Sequence, residues 1–168
     1  MDTTFLREAP APASRARTIG RLVLGLALAF AGVSHLTTAR QEFLAQVPAW
    51  MPLDHDLVVV LSGIVEIALG AALLLLPRWR VPVGWVVAAF FVAVFPGNLA
   101  QYAEGVDAFG LDTDRERLVR LFFQPVLVAW ALWCTGAWRA WRTARSGTDG
   151  PGPAAQGRRD AARDGATS

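Results

Sequence analysis

The chain has little of the charge that soluble enzymes and nucleic-acid-binding proteins carry. Only 18% of its 168 residues are charged, and the formal net charge is +2 at pH 7. Lysine is absent, so every Lys or Arg position is arginine. A net charge this small, scattered along the sequence, argues against nucleic acid as a partner.

Cysteine and histidine are also nearly absent, and this argues against several redox and metal chemistries. Cys134 is the one cysteine, so no CxxC pair exists and a thiol–disulfide exchange enzyme is not favoured. A membrane b-type haem needs two axial histidines inside the bundle, whereas His55 lies in a polar segment between Asp54 and Asp56. Three adjacent side chains do not all face one ion, so no metal site is predicted. No cofactor is evident from a sequence motif.

Four long apolar blocks dominate what is present. Hydrophobic residues make up 54% of the chain, and the mean hydropathy is +0.35. Each block has about 18–21 residues, enough to cross a hydrocarbon core of roughly 30 Å as a helix. The sequence therefore predicts an all-α integral membrane protein, a bundle of four transmembrane helices at Ile19–Leu36, Leu57–Leu76, Val81–Leu99 and Leu118–Trp138.

The arginines predict the orientation of these spans. Cytoplasmic loops of membrane proteins carry an excess of basic residues. Arginines precede the first span, occupy the turn between the second and third, and follow the fourth, whereas the other two loops are mainly acidic. We therefore expect a multi-pass protein of the cell inner membrane with both termini in the cytoplasm.

The segments outside the spans divide the chain into three parts. Residues 1–17 are rich in Ala, Pro and Arg, and residues 141–168 lack apolar periodicity, so both are predicted to be disordered cytoplasmic tails around a membrane domain at 18–140. Between the first two spans, residues 37–56 combine apolar side chains with two prolines. We expect a short interfacial helix there, followed by a turn that covers the mouth of a cavity.

Polar residues inside the apolar blocks are the candidate site. Polar groups at membrane depth are costly, and they usually face the interior of a bundle. Helical spacing puts several of them on faces with small residues, which mark helix contacts in membranes. The predicted bundle therefore has a shared polar core, open to the outer side, with one carboxyl at its floor. Its members are His35, Glu66, Asn98, Arg120 and Gln124.

Structural roles compete with functional ones at each of these positions. His35 fits an interfacial histidine at a helix end, and Asn98 and Gln124 fit interhelical cross-links. The Glu66 carboxyl is expected to be protonated or paired with His35 or Arg120, or to serve as a structural hydrogen-bond partner.

Two prolines inside the spans free backbone carbonyls. Pro96 frees the carbonyl of Val92, and Pro125 frees that of Leu121. Gln124 or Arg120 is the expected donor to them.

Short motifs in a fixed order resemble the DoxX family of small bacterial membrane proteins, in particular its DoxX-like branch. The likeness covers about Arg17 to Trp138 and implies a four-helix inner-membrane protein. It also implies a link to membrane redox systems, since some family members are subunits of a thiosulfate:quinone oxidoreductase. The motifs are Gly32-Val33-Ser34-His35, Val47-Pro48-Ala49-Trp50-Met51-Pro52, Ser62-Gly63-Ile64-Val65-Glu66, Phe95-Pro96-Gly97-Asn98 and Arg120-Leu121-Phe122-Phe123-Gln124.

Two classes of function remain open at this point. The first is an accessory or ligand-binding subunit of a quinone-linked membrane redox system, whose partners are the lipid bilayer, a redox subunit and a small lipophilic ligand such as a quinone. The second is a membrane enzyme or proton-coupled permeation unit that uses Glu66 with His35 as a relay. Replacing Glu66 by Gln separates the two, since only the second class depends on its proton.

Overall fold

The computed structural model describes residues 13–106, 110 and 113–148, and this part of the chain is built from helices. A 3-10 turn at Pro77–Trp79 leads directly into the fourth α-helix. The helices are α1 (Arg15–Leu36), α2 (Arg40–Leu44), α3 (His55–Leu75), α4 (Arg80–Glu104), α5 (Asp114–Thr135) and α6 (Ala137–Thr148).

Local sequence explains where these helices begin. The Asp54 side chain accepts a hydrogen bond from the backbone N–H of Leu57 and caps α3. Thr113 and Glu116 form a reciprocal capping box at the start of α5. These polar caps place the starts of α3 and α5 two and four residues before the predicted apolar blocks, which begin at Leu57 and Leu118.

Glycines explain where α4 and α5 end. Gly105 and Gly136 follow these helices in the left-handed region, with φ of 64° and 78°, which favours glycine and stops a helix. The fourth block was predicted to continue to Trp138, which is wrong because Gly136 ends α5 at Thr135. The third was predicted to end at Leu99, but α4 continues to Glu104.

Four helical segments of the described chain are long and apolar enough to cross a membrane. They correspond to the four predicted spans and confirm the prediction of an all-α protein with four such helices. The segments are Arg15–Leu36, His55–Leu75, Pro77–Glu104 and Asp114–Thr135.

Both predicted tails are too long: the first ends too late in the sequence, and the second begins too early. Helix α1 already starts at Arg15, and α6 extends through the first eight residues of the segment predicted as a disordered tail at 141–168. Within α6 the rings of Trp138 and Trp141 lie 4.9 Å apart, and the Arg145 guanidinium stacks 4.8 Å over the Trp141 ring. These contacts support a helix where composition alone predicted none. Residues 1–12 and 149–168 of the predicted tails lie outside the described residues.

The long helices pack as two antiparallel pairs. In the first pair, α1 and α3 meet through glycines: a Cβ on Gly32 would lie 2.5 Å from the Gly63 carbonyl oxygen, and one on Gly70 would lie 2.6 Å from the Gly25 carbonyl oxygen. Such backbone approach requires small residues. These glycines share helix faces with His35 and Glu66, so the spacing correctly predicted the contact faces.

The second pair, α4 with α5, meets through Gly84 and Thr135. The Thr135 side chain is fully buried and occupies the space that a Cβ on Gly84 would need. Between the two pairs lies an apolar core that includes Leu28, Leu73 and Val87. The core holds the pairs together and leaves a polar cavity toward one end.

The two ends of the bundle differ in charge. At the end where α1 and α4 begin and α3 and α5 finish, the described chain carries eight arginines and no Asp or Glu. We call it the arginine end, and its arginines are Arg15, Arg17, Arg21, Arg78, Arg80, Arg139, Arg142 and Arg145.

Arg21 is the buried member of this group, and its position was not anticipated. It is 8% exposed and donates a hydrogen bond to the Leu73 carbonyl oxygen in the last turn of α3. A cation at a helix C-terminus is favoured by the helix dipole.

Candidate polar cavity

All five sequence-predicted site residues line one cavity at the end opposite the arginine end. Its volume is about 580 Å³, and its walls come from α1, α3, α4, α5 and the segment between α1 and α3. Most of the lining is apolar, with a few converging polar side chains, which is the usual composition of a small-molecule pocket. The polar lining residues are His35, Gln46, Ser62, Glu66, Asn98, Arg120 and Gln124.

His35 and Glu66 form the central contact of the cavity. Nδ1 of His35 lies 2.9 Å from Oε2 of Glu66, and the side chains are 6% and 12% exposed. Neither of these two atoms has a hydrogen-bond partner of standard geometry in the described part of the chain, so the contact between them is one of distance. The close approach of α1 and α3 at Gly32 and Gly63 brings the two side chains together. His35, one of the two partners expected for Glu66, is the one that the structure places beside it.

A His–carboxyl pair in a largely dry site has defined chemistry. One proton between the two groups gives either an imidazole N–H that donates to a carboxylate or a carboxyl that donates to a neutral imidazole. Either state can exchange that proton with a bound molecule, so the pair can act as hydrogen-bond partner or as proton carrier.

Asn98 and Gln124 join α4 to α5. Asn98 Nδ2 donates to Gln124 Oε1 at 2.9 Å, and Gln124 Nε2 donates to the Phe91 carbonyl oxygen at 2.6 Å. These contacts agree with the interpretation of Asn98 and Gln124 as cross-links between helices. Gln124 or Arg120 was expected to donate to the carbonyls freed at Val92 and Leu121, but Gln124 donates to the Phe91 carbonyl, one residue before Val92. Successive carbonyls point about 100° apart around a helix, so this is a different direction from the one expected.

A second hydrogen-bonded chain fixes Arg120. Its Nη2 donates to Gln46 Oε1 at 2.9 Å, and Gln46 Nε2 donates to Gln101 Oε1 at 3.2 Å. Gln101 is 2% exposed and donates in turn to the Val106 carbonyl oxygen at 3.4 Å. This chain ties α5, the segment after α2 and the last turns of α4 together.

Sequence reasoning missed Gln46 and Gln101. Gln101 follows Asn98 by three residues and therefore lies on the same helix face, so a longer third span would have found it. Gln46 lies in the segment between α1 and α3, outside the apolar spans in which polar residues were sought. Its role follows only from the fold.

The segment between α1 and α3 covers the cavity, as its apolar residues predicted. Phe43 of the short helix α2 packs its ring edge-to-face against His35 at 81°. Pro48, Trp50 and Met51 line the cavity, and a turn closes with Met51 N–H donating to the Pro48 carbonyl oxygen.

An ion pair holds this cover to α3. Nε of Arg40 donates to Oδ1 of Asp56 at 2.8 Å, and the second guanidinium nitrogen reaches the other carboxylate oxygen. The hydrogen bond and the negative charge of Asp56 raise the pKa of Arg40. The pair is solvent-exposed, so salt screens it.

The titratable residues that the structure describes outside the cavity include His55, Cys134 and the surface charges. Among the described residues, no group of three or more His, Cys, Asp or Glu side chains is arranged to hold a metal ion. His55 begins α3, away from the cavity lining. Cys134 is buried in the apolar core beside Ala131.

Fold and cavity together define a class, an all-α protein with four helices able to cross a membrane and a capped polar cavity among them. Residues 7–135 match the model of a family described as a domain of unknown function (DUF8561), so the chain belongs to that family. The match ends where α5 ends and leaves α6 outside. No curated protein and no solved structure matches the chain.

The family match corrects the DoxX resemblance, which is wrong. The motifs that carried it are four to six residues long, and they consist mainly of apolar and small residues with at most two polar ones. Any compact four-helix membrane bundle needs small residues at its contacts and hides its polar groups beside them. Such motifs report the architecture and do not distinguish families.

Proposed function

We propose that the protein is a multi-pass protein of the inner membrane that binds a small, mostly apolar molecule in the polar cavity. The observation that supports this most directly is the convergence of His35, Glu66 and Arg120 on one apolar-walled space of about 580 Å³. That volume lies in the range of ligand pockets, and the ratio of apolar wall to polar group is that of a ligand-binding site.

A quinone headgroup is the ligand class that we propose first. Quinone carbonyls accept hydrogen bonds, while the ring and tail are apolar, and the cavity offers donors on opposite walls, from Arg120 on α5 and the His35–Glu66 pair on α1 and α3. In this role the protein would serve as a ligand-binding or accessory subunit of a quinone-linked membrane system. With the DoxX resemblance set aside, the proposal depends on the cavity alone.

Equilibrium binding of a short-chain benzoquinone to the purified protein in detergent tests the proposal. We expect saturable binding, weakened about tenfold by His35→Ala, because one hydrogen bond to a charged or polar group is lost. His55→Ala is the matched control, since His55 lies outside the cavity, and should bind as the wild type does. Binding that His35→Ala and His55→Ala leave equally strong would contradict a quinone in this cavity.

The His35–Glu66 contact favours one second candidate, a proton-coupled permeation unit or enzyme. A carboxyl and an imidazole 2.9 Å apart can relay a proton. Glu66→Gln keeps a hydrogen-bonding amide and removes the proton carrier. Proteoliposomes with an internal pH dye would then show proton movement for the wild type that Glu66→Gln abolishes, whereas a ligand-binding subunit keeps its ligand in that variant.

A further inference from the structure

A second cavity lies at the arginine end, and it has a different composition. Its volume is about 650 Å³, and it runs between α4 and α5 with α6 closing one end. We call it the arginine-end groove. Phe95, Val128 and Leu132 contribute to its apolar wall, and Arg17 and Arg139 stand at the end toward α6.

The length of the groove matches one membrane leaflet. Its α5 lining extends from Gln124 to Gly136, which at 1.5 Å per residue spans about 18 Å. Half of a hydrocarbon core is about 15 Å. A groove that starts at the helix ends and stops near mid-membrane has the dimensions of one acyl chain in one leaflet.

The charge at the mouth of the groove selects the sign of the headgroup. Arg17 and Arg139 line the mouth, and the described chain places no Asp or Glu at this end. An anion at the mouth would neutralise part of this positive charge. Basic pockets between membrane helices bind anionic lipid headgroups on these grounds.

We infer that the arginine-end groove binds one anionic phospholipid from the adjacent leaflet. One acyl chain lies along α5 between Gln124 and Gly136, and the phosphate contacts Arg17 and Arg139. Trp138, which lines the groove where α6 leaves α5, sits at headgroup level as interfacial tryptophans do. The inference rests on placement of the bundle in a bilayer, and not on the ligand of the polar cavity.

Native mass spectrometry of the full-length protein with an equimolar mixture of phosphatidylglycerol and phosphatidylcholine tests the inference. The two lipids carry the same acyl chains, so the comparison isolates recognition of the headgroup. We expect the wild type to retain phosphatidylglycerol about tenfold better, and the double variant Arg17→Gln/Arg139→Gln to lose that preference. Arg142→Gln is the matched control on the same helix, outside the groove lining, and should keep it.

Three results would overturn the inference. The first is equal retention of both lipids by the wild type, and the second is loss of the preference in Arg142→Gln, which would make the effect one of general charge. The third is a groove occupied by a second copy of the chain, seen as a dimer that excludes lipid. Inorganic phosphate at the same concentration should not displace the phospholipid, because it cannot fill the apolar wall.

A second variant keeps the test decisive if the double variant does not fold. Ala129→Phe fills the groove without changing charge, since Ala129 is an exposed lining residue, and it should reduce retention of both lipids. Unchanged retention in that variant would place the lipid elsewhere. Benzoquinone binding by the wild type, measured in parallel, reports on the polar cavity and not on lipid retention, so failure of this inference is distinguishable from failure of the proposed function.

Discussion

The polar residues of the cavity fall into two groups according to what already satisfies them. The amide groups of Asn98 and Gln124 hydrogen-bond to each other, and Gln124 also donates to a backbone carbonyl, so the two residues hold α4 against α5. His35 and Glu66 face each other at 2.9 Å, and the two facing atoms form no hydrogen bond of standard geometry among the described residues. The amides are therefore structural, and the imidazole–carboxyl pair is the chemically available part of the site.

Replacement of Glu66 should separate its polar contact with His35 from its charge. We expect Glu66→Ala to lower the free energy of unfolding by about 1–2 kcal/mol, because Nδ1 of His35 loses its partner in a largely dry site. Glu66→Gln keeps a hydrogen-bonding group and should cost less than half as much. Thermal unfolding in detergent measures both, with the exposed Glu104→Ala as control. A Glu66→Ala variant as stable as Glu104→Ala would contradict the pairing.

The cavity residues could be found in the sequence only where they contrast with their surroundings. His35, Glu66, Asn98, Arg120 and Gln124 are polar groups within or beside apolar blocks, and burial cost alone marks them. Gln46 lies outside the four spans, where burial in the membrane does not mark a glutamine, and its contact with Arg120 depends on how the segment between α1 and α3 folds over the bundle. The missing information is tertiary, since no local pattern encodes that contact.

At the scale of the helices, the spacing of small residues predicted the contact faces, whereas hydropathy predicted the number of long helices and misplaced their ends. Hydropathy located four helices but misplaced the ends of α4 and α5, because capping by Gly105 and Gly136 depends on single residues. Helix α6 was missed because its tryptophans and arginines do not form an apolar block. The glycines of α1 and α3, by contrast, predicted the contact faces, since close backbone approach excludes larger side chains.

The α1–α3 contact should be sensitive to a single methyl group. We expect Gly32→Ala to lower the free energy of unfolding by about 1–3 kcal/mol, because the new Cβ would lie 2.5 Å from the rigid Gly63 carbonyl and overpacking forces the helices apart. Gly97→Ala is the matched control, since its Cβ would meet only the Gln46 carbonyl, at 3.3 Å. Denaturant titration in detergent compares them. An equal loss of unfolding free energy in the two variants would mean that α1 and α3 do not meet at Gly32 and Gly63 as described.

The Arg40–Asp56 pair should control the cover of the cavity without affecting global stability. We expect Arg40→Gln to leave the unfolding midpoint unchanged, because exposed ion pairs contribute little, while hydrogen exchange over residues 40–53 becomes faster. High salt should have the same effect on the wild type by screening the pair. The exposed Arg115→Gln, in α5, is the control. Unchanged exchange in Arg40→Gln would show that packing of Phe43 alone holds the cover.

At the scale of the whole molecule, the uneven distribution of charge predicts its orientation. The arginine end should face the cytoplasm, because basic residues resist translocation. Alkaline phosphatase fused within residues 105–112 should be active, and the same reporter fused after Arg145 should be inactive. A fusion in the Pro77–Trp79 turn should agree with the one after Arg145. The same activity at all three positions would contradict a chain that crosses the membrane four times.

Gln124 lines both the polar cavity and the arginine-end groove, and this shared wall has a thermodynamic consequence. If a ligand in the polar cavity or a lipid in the arginine-end groove shifts the Gln124 side chain, the two binding affinities are coupled. Linkage then requires reciprocity: the factor by which a lipid in the groove changes ligand affinity in the cavity equals the factor by which that ligand changes lipid affinity. The lipid composition of one leaflet would thereby set the loading of a site that opens toward the other.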